Sequence, residues 1–394
     1  MKNIQEMEPT QATQANSQAA IVEEARTFVD KEVRPLVRKM EDEGTMPREL
    51  IEKMAQKGYL AASLPVSYGG LGLDPIHYGL FTEAFGKASV AARSLITVHT
   101  SLVSETLLRF GTKEQKETWL PRLARGEQIA CFGLTEPDVG SDAKNIKTSW
   151  HEEDDYYVIN GVKKWITFGD IADVFFIVAA NQGKSSVFLV ERAYEGVETK
   201  AIEGLMASRS THLAEIHLRD VKVPKSHVIG KLNFGFEYVV STALDNGRYS
   251  IAWAGVGIAQ EGVDAMVSYS RTRSQFDQKL SSFQLIRGMI ADAVTKVHAA
   301  RALCLRAGEM RLAKEDEATI ETTIAKYFAS KVAVEVASDA LQVHGANGFS
   351  NQYPVERLYR EAKVLEIIEG SSQMQQEMIS YYGLRHYFKR GYSI

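Results

Sequence analysis

An α+β chain, mainly α, is predicted by three features of the 394-residue sequence. Apolar residues recur with helical spacing from about residue 21 to 127. Between about 130 and 240 the pattern shortens to β-prone runs. From about 241 onward helical spacing returns in longer stretches. The expected division is a loose polar tail over 1–18, a helical domain over 19–129, a β domain over 130–240 and a helical domain over 241–394.

In the first block Val22, Ala25, Phe28 (or Val29) and Val33 fall on one helix face. Gly69, Gly70 and Gly72 interrupt the pattern with a loop, and Pro121 is expected to close the block. In the middle block a β-prone run, Tyr156 to Ile159, precedes Asn160-Gly161 and then Lys164-Trp165-Ile166-Thr167. Asn-Gly between two such runs predicts a tight hairpin turn. Ile216 and Leu218 alternate with Glu215, His217 and Arg219, as in a half-buried strand. In the last block Ala252, Val256, Ala259, Val263, Met266 and Tyr269 form one helical stripe. Phe328, Val332, Val336, Ala340 and Val343 form another, and long patterned helices predict an antiparallel bundle. No internal repeat is present.

Composition narrows the function. Hydrophobic residues make up 45% and charged residues 24%, ordinary for a globular protein. Lys+Arg is 46 and Asp+Glu 50, a net charge of −4. No basic excess is available to neutralise phosphates, so a nucleic-acid binder is not expected. The two cysteines, Cys131 and Cys304, are too few for a disulfide framework or a zinc site and suit a reducing cytoplasm, where the protein is expected. None of the nine histidines falls in a metal-spaced cluster, so no metal is expected. The N-terminus lacks the apolar core of a secretory signal, and no stretch is long and apolar enough to span a membrane.

Three segments are unlike ordinary core or surface. The first runs from Phe132 to Asp142 and includes Leu134, Thr135, Gly140 and Ser141. Its hydroxyls could bind a ligand and its glycine could allow close approach; the alternative is a polar interdomain turn. The second contains Trp165 and Thr167, which share a face of the expected strand. An aromatic wall beside a hydroxyl suits a flat heteroaromatic cofactor; the alternative is a core tryptophan. The third reads Glu366-Ile367-Ile368-Glu369-Gly370-Ser371-Ser372. If Glu369 is shielded from water, its pKa rises towards the range of a working base. The alternative is a solvated helix end with a serine cap. Asp245 and Arg248 would by default be a surface pair. Arg271, Arg273 and Phe276 could hold a diphosphate and stack on a base.

Taken together these segments resemble the acyl-CoA dehydrogenase family of flavoproteins. LTEPDVGSDAKNIKT and REAKVLEIIEGSSQMQ resemble its two signatures. KKWITFGDIADV, LRDVKVP, LDNGRYSIAWAGVGIAQ, RTRSQF and LQVHGANGFSNQYPVERLYREAK fall between them in the family's order. The resemblance covers about residues 21 to 385. It implies a β-barrel-like middle domain, a C-terminal four-helix bundle and FAD. It places Phe132, Leu134, Thr135 and Ser141 at the flavin and thioester site, and Trp165 and Thr167 on the isoalloxazine. It assigns Arg273, Phe276 and Gln284 to the adenine diphosphate half, supplied by a neighbouring subunit together with Gln342 and the nearby Gly345. Ser371 keeps a hydroxyl where the family usually has Thr, Asp245 and Arg248 match a pair near the substrate, and Glu369 is the base. Asp277, Lys279 and Ala346 depart from the pattern on the adenine side.

The implied chemistry is removal of an α-proton by Glu369 with transfer of the β-hydride to flavin. The substrate oxygen is held by the base's own backbone N–H and a flavin hydroxyl. GRYSIAWAGVGI, AKVLEIIEGSSQM and SSVFLVERAYEGVE look most like dehydrogenases of polyketide extender-unit pathways, which act on short chains tethered to an acyl carrier protein. Expected partners are therefore an acyl thioester of a carrier protein or CoA, an electron acceptor such as an electron-transfer flavoprotein or oxygen, and further copies of the chain in a dimer or tetramer. Rival readings are an ordinary short- or branched-chain acyl-CoA dehydrogenase, oxidation of a hydroxyacyl- or aminoacyl-carrier substrate, a flavin oxidase or monooxygenase, and a helical assembly protein without cofactor.

Overall fold

A computed structural model describes residues 11–389. Among the described residues the first block holds seven α-helices: α1 (Gln11–Phe28), α2 (Val37–Glu43), α3 (Arg48–Gln56), α4 (Pro75–Ala88), α5 (Val90–Ile96), α6 (Glu105–Phe110) and α7 (Lys113–Ala124). A π-helical segment, Thr97–Ser104, joins α5 to α6. The tail expected over 1–18 is thus partly helix, and residues 1–10 lie outside the described residues. Gln18 is buried because its amide serves the loop after the glycines: its Oε1 accepts from the Asp74 N–H at 2.9 Å. Pro121 lies inside α7 rather than ending it. Val22, Ala25, Phe28, Val29 and Val33 are all buried as the spacing predicts, and Phe28, Tyr59, Phe81 and Phe85 interlock around them.

The middle block holds β1 (Ala130–Gly133), β2 (Ser149–Glu153), β3 (Tyr156–Ile166), β4 (Val174–Asn181), β5 (Lys184–Glu191), β6 (Val197–Ala201), β7 (Ala214–Pro224) and β8 (Val228–Ile229). They form one sheet in the order β6-β7-β3-β2-β4-β5-β8, with β1 parallel to β4. The ends β6 and β8 do not pair with each other, so the expected barrel stops short of closure. The Asn160-Gly161 hairpin is a misreading. Both residues lie inside the continuous strand β3, where the register against β7 shifts between Ile159 and Gly161. A bulge demands the same unusual backbone as a tight turn, which explains the confusion. Gly161 has φ +151, and a Cβ there would lie 2.7 Å from the Thr148 backbone. The real hairpin turns at Asp154 and Asp155, between β2 and β3.

The last block begins with α8 (Ser241–Thr272). A two-stranded hairpin, β9 (Ser274–Gln275) and β10 (Gln278–Lys279), leads to α9 (Gln284–Ala313), α10 (Ala318–His344), α11 (Val355–Leu365) and α12 (Ser372–Lys389). The three long helices pack as the predicted bundle, with α11 and α12 completing it against α10. Small residues let α8 approach its neighbours. A Cβ at Gly79 of α4 would fall 2.2 Å from the Trp253 indole nitrogen, and one at Gly255 would fall 2.7 Å from the Ala329 carbonyl of α10. Among the described residues no helix is long and apolar enough to cross a membrane, and no cluster of His, Cys, Asp and Glu could hold a metal ion.

Candidate active site

The turn between α11 and α12 is built on two left-handed residues. Helix α11 ends at Leu365, Glu369 has φ +53 and Gly370 has φ +84. A non-glycine residue at positive φ is costly, of order 1 kcal/mol or more, and persists only where its surroundings hold it. Three side chains do so. Gln375 of α12 donates to the Glu369 and Gly370 carbonyls at 3.1 and 3.0 Å. Lys326 of α10 donates to the Gly370 carbonyl at 2.7 Å, and Arg248 of α8 reaches the Glu369 carbonyl at 3.4 Å. Ser371 caps α12, accepting from the Met374 N–H at 3.4 Å.

This clamp aims the Glu369 side chain at α8. Its Oε2 is sealed from solvent and has no hydrogen-bond partner. Gly247 makes the room, for a Cβ there would lie 2.4 Å from Oε2. Burial pushes the carboxyl up to about 7, against the pull of the Arg248, Lys326 and Arg93 cations. The Glu369 backbone N–H also has no acceptor among the described residues. A carboxylate poised near neutrality beside a free N–H can take a proton from a carbon next to a carbonyl while the N–H steadies that carbonyl's oxygen. The solvated helix end is excluded.

Asp245 and Arg248 are not a surface pair. Asp245 bonds Arg311 of α9 at 2.6 Å, while Arg248 turns to the Glu369 carbonyl. Three residues apart on a helix, the two side chains were free to choose different neighbours.

A second group of predicted residues gathers at the start of the sheet. Phe132 and Leu134 are buried, and the hydroxyls of Thr135, Ser141 and Thr167 have no partner among the described residues. Gly140 is exposed, with open space where a Cβ would be. Trp165 has φ +62 at a register shift between Lys163 and Ile166, so strand alternation does not govern the Trp165–Thr167 pair. The bulge turns the indole outward, 49% exposed, with the Lys164 ammonium 5.3 Å from its ring. Lys163 and Glu136, both unremarked in the sequence, fix this corner. Lys163 donates to Glu136 at 2.7 Å and to the Leu134 carbonyl at 3.0 Å, while the Lys147 and Thr148 N–H groups also reach Glu136. The exposed indole, the apolar pair and the unpartnered hydroxyls fit a flat, polar-edged ring such as a flavin.

The third group lies elsewhere. Arg273 ends α8, Gln284 begins α9, and Phe276 sits 88% exposed on the hairpin between them, with Phe276 and Asp277 both at positive φ. Gln342 and Gly345 lie at the C-terminal end of α10. They share one end of the bundle with Arg273, because Tyr269 stacks on His344 at 4.1 Å. Twenty-six residues of α8 separate Gly247 from Arg273, about 39 Å along the axis. One chain does not bring the third group to Glu369.

Three family descriptions match the chain in order: the acyl-CoA dehydrogenase N-terminal domain over residues 15–127, the middle domain over 131–221 and the C-terminal domain over 233–382. A 3-(aryl)acrylate reductase of Clostridium sporogenes is 37% identical over 361 residues, 90% of this chain and 95% of that protein. The chain belongs to the acyl-CoA dehydrogenase family. The caffeyl-CoA reductase-Etf complex subunit CarC of Acetobacterium woodii is 36% identical over 362 residues, 90% of this chain and 95% of its own. Among solved structures, butyryl-CoA dehydrogenase from Megasphaera elsdenii superposes with a TM-score of 0.91 at 31% identity, covering 97% of this chain and 100% of its own. A glutaryl-CoA dehydrogenase of Mycobacterium smegmatis in complex with FADH2 gives 0.89 at 27%, covering 94% of each chain. FkbI, for biosynthesis of the methoxymalonyl extender unit of the FK520 polyketide, gives 0.84 at 30%, covering 94% of this chain and 99% of its own. As a member of the acyl-CoA dehydrogenase family this chain is an FAD-dependent oxidoreductase of acyl thioesters, acting on a CH–CH bond.

Proposed function

We propose that the chain desaturates a short acyl group carried on an acyl carrier protein, with Glu369 as the base. The observation that carries the base is the Glu369 Oε2, sealed, unpartnered and directed over Gly247. The α-carbon loses its proton to Oε2, the electron pair forms the double bond, and the β-carbon gives up hydride. Bound FAD supplies the two-electron acceptor. Phe132, Leu134, Thr135, Ser141, Trp165 and Thr167 would hold the ring, with Gly140 leaving the approach open. Arg248 would keep the base turn in place and Asp245 would hold α8 to α9. Arg273, Phe276, Gln284, Gln342 and Gly345 would serve the adenine half bound to a second copy, which makes the enzyme a homo-oligomer.

The carrier-protein tether is supported by the likeness to the prolyl acyl carrier protein oxidase AnaB, extender-unit chemistry by the likeness to FkbI, and an electron-transfer flavoprotein as acceptor by the Etf-linked relative of A. woodii. Anaerobic bleaching of the flavin tests the reading, with matched short acyl groups presented on CoA and on a carrier protein. Faster bleaching by the carrier thioester is expected. A clear preference for CoA would assign instead an ordinary short-chain acyl-CoA dehydrogenase, as the butyryl-CoA dehydrogenase structure favours. Reoxidation of the reduced enzyme by an electron-transfer flavoprotein but not by air excludes the oxidase.

A further inference from the structure

Lys326 has no role in the chemistry above, and its place in α10 is costly. The side chain is fully buried, with its ammonium inside the bundle. Among the described residues no carboxylate comes within 4.0 Å of Nζ. The nearby Glu366 is spoken for, pairing with Lys363 at 2.6 Å. Burying a cation without an ion pair is unfavourable, and such groups ordinarily are paired or lose their charge. Burial accordingly pulls this ammonium down to about 8, with Glu369 the strongest force holding the proton on and Arg248 opposing it. Its hydrogen bond goes to a main-chain carbonyl, that of Gly370, the second left-handed residue of the base turn.

We propose, on the reading of Glu369 as the base, that Lys326 is a positioning residue: it locks the left-handed turn and supplies the buried positive charge that keeps the carboxylate available. Bonding to the main chain rather than to the carboxylate is what allows both. A direct ion pair would occupy Oε2; a bond to Gly370 leaves Oε2 free while the charge still acts through the low-dielectric interior. The cations facing Glu369 come from three helices: Arg93 of α5, Arg248 of α8 and Lys326 of α10. Arg93 also answers to Glu361 of α11, and Arg248 to Asp245. Lys326, of the three, bonds to the turn at ordinary hydrogen-bond distance and is fully buried.

The test compares Lys326→Gln, which keeps an N–H donor but no charge, with Lys326→Arg and Lys326→Met in the flavin-loaded enzyme. Two readouts are followed against pH: kcat/KM, and the infrared carboxyl band of Glu369, identified by its loss in Glu369→Gln. Lys326→Gln should move the acid limb and the band upward together by about one unit or more. Lys326→Arg should restore most of the wild-type position, and Lys326→Met should add a fall in kcat. Should Lys326→Met fail to fold, the Gln and Arg variants still decide. An unmoved band and limb in Lys326→Gln overturns the proposal. The base reading fails separately, by wild-type turnover in Glu369→Gln, whereas the infrared titration still reports the Lys326–Glu369 coupling.

Discussion

Glu136 and Glu369 are both shielded carboxylates with a buried lysine nearby, and they are opposites. Glu136, in the loop after β1, meets Lys163 directly at 2.7 Å and accepts from two backbone N–H groups. Despite burial, Lys163 and those donors hold it below the usual carboxylate range. Glu369 meets no donor at Oε2, its lysine bonds the main chain instead, and burial lifts it to about 7. The lesson is that the spending of hydrogen bonds separates a structural carboxylate from a reactive one. A satisfied carboxylate organises a loop. One left unsatisfied near a free N–H stays ready to exchange a proton.

The largest effect that could break this contrast is kinetic. Glu369→Gln should cut kcat by roughly 10³-fold, within the span general bases command, while flavin absorbance and Tm stay close to wild type. The same Gln substitution at Glu136 should leave chemistry to whatever flavin is retained.

The next effect is on stability. Glu136→Ala strands the Lys163 ammonium in the interior, and urea unfolding should show a loss of about 3–5 kcal/mol. A Glu136→Leu/Lys163→Met double variant should recover much of it, because no uncompensated charge is left. Recovery absent in the double variant would mean that the loop needs the hydrogen bonds more than the charge balance.

Crowding the reactive carboxylate sharpens the comparison. Gly247→Ala puts a methyl 2.4 Å from Oε2 and 3.0 Å from Leu102, so Glu369 must shift. A fall in kcat of roughly ten- to a hundredfold is expected with little change in Tm, since a displacement of this size spoils attack geometry more than packing.

The pH dependences should have opposite signs. Glu369 must be ionised to act, so kcat/KM should rise through about pH 7 and level off above it. Its raised pKa stabilises the fold most below the ordinary carboxylate range, a contribution lost as pH rises through about 7. Glu136, held low, stabilises above that range and loses its contribution as pH falls below it. Tm differences between wild type and each Glu→Gln variant, followed from about pH 3 to 9, should therefore slope in opposite directions, for Glu136 below about 4.5 and for Glu369 between about 4.5 and 7. The smallest effect belongs to the cap: Ser371→Ala should cost about 1 kcal/mol in urea unfolding.

Much of the fold was readable because periodicity records burial. The stripes Ala252–Met266 and Val332–Val343 are buried as their spacing requires, and the order helical, β, helical follows from the same signal. Asn160-Gly161 was misread because local backbone preference cannot tell a turn from a bulge within one strand. Trp165 and Thr167 were placed by an alternation that the bulge at Lys163–Ile166 cancels. Lys163, Lys326 and Gln375 gave no signal, since a lone lysine or glutamine in an amphipathic segment reads as solvated surface. Lys163, two residues before Trp165, is the one that regular alternation with an inward tryptophan could have flagged as inward-facing.

By itself the sequence determined the family and the identity of the candidate base, because ordered motifs survive as text: EPDVGSD, KKWITF, DNGR and EGSS stand in a fixed order along the chain. What the tertiary structure alone decided is the state of those residues. The solitude of the Glu369 oxygen, the lysine beneath its turn and the direct Lys163–Glu136 pair each depend on segments far apart in the chain. Desolvation and Coulomb energy are set by distance in space, and distance along the chain does not encode them.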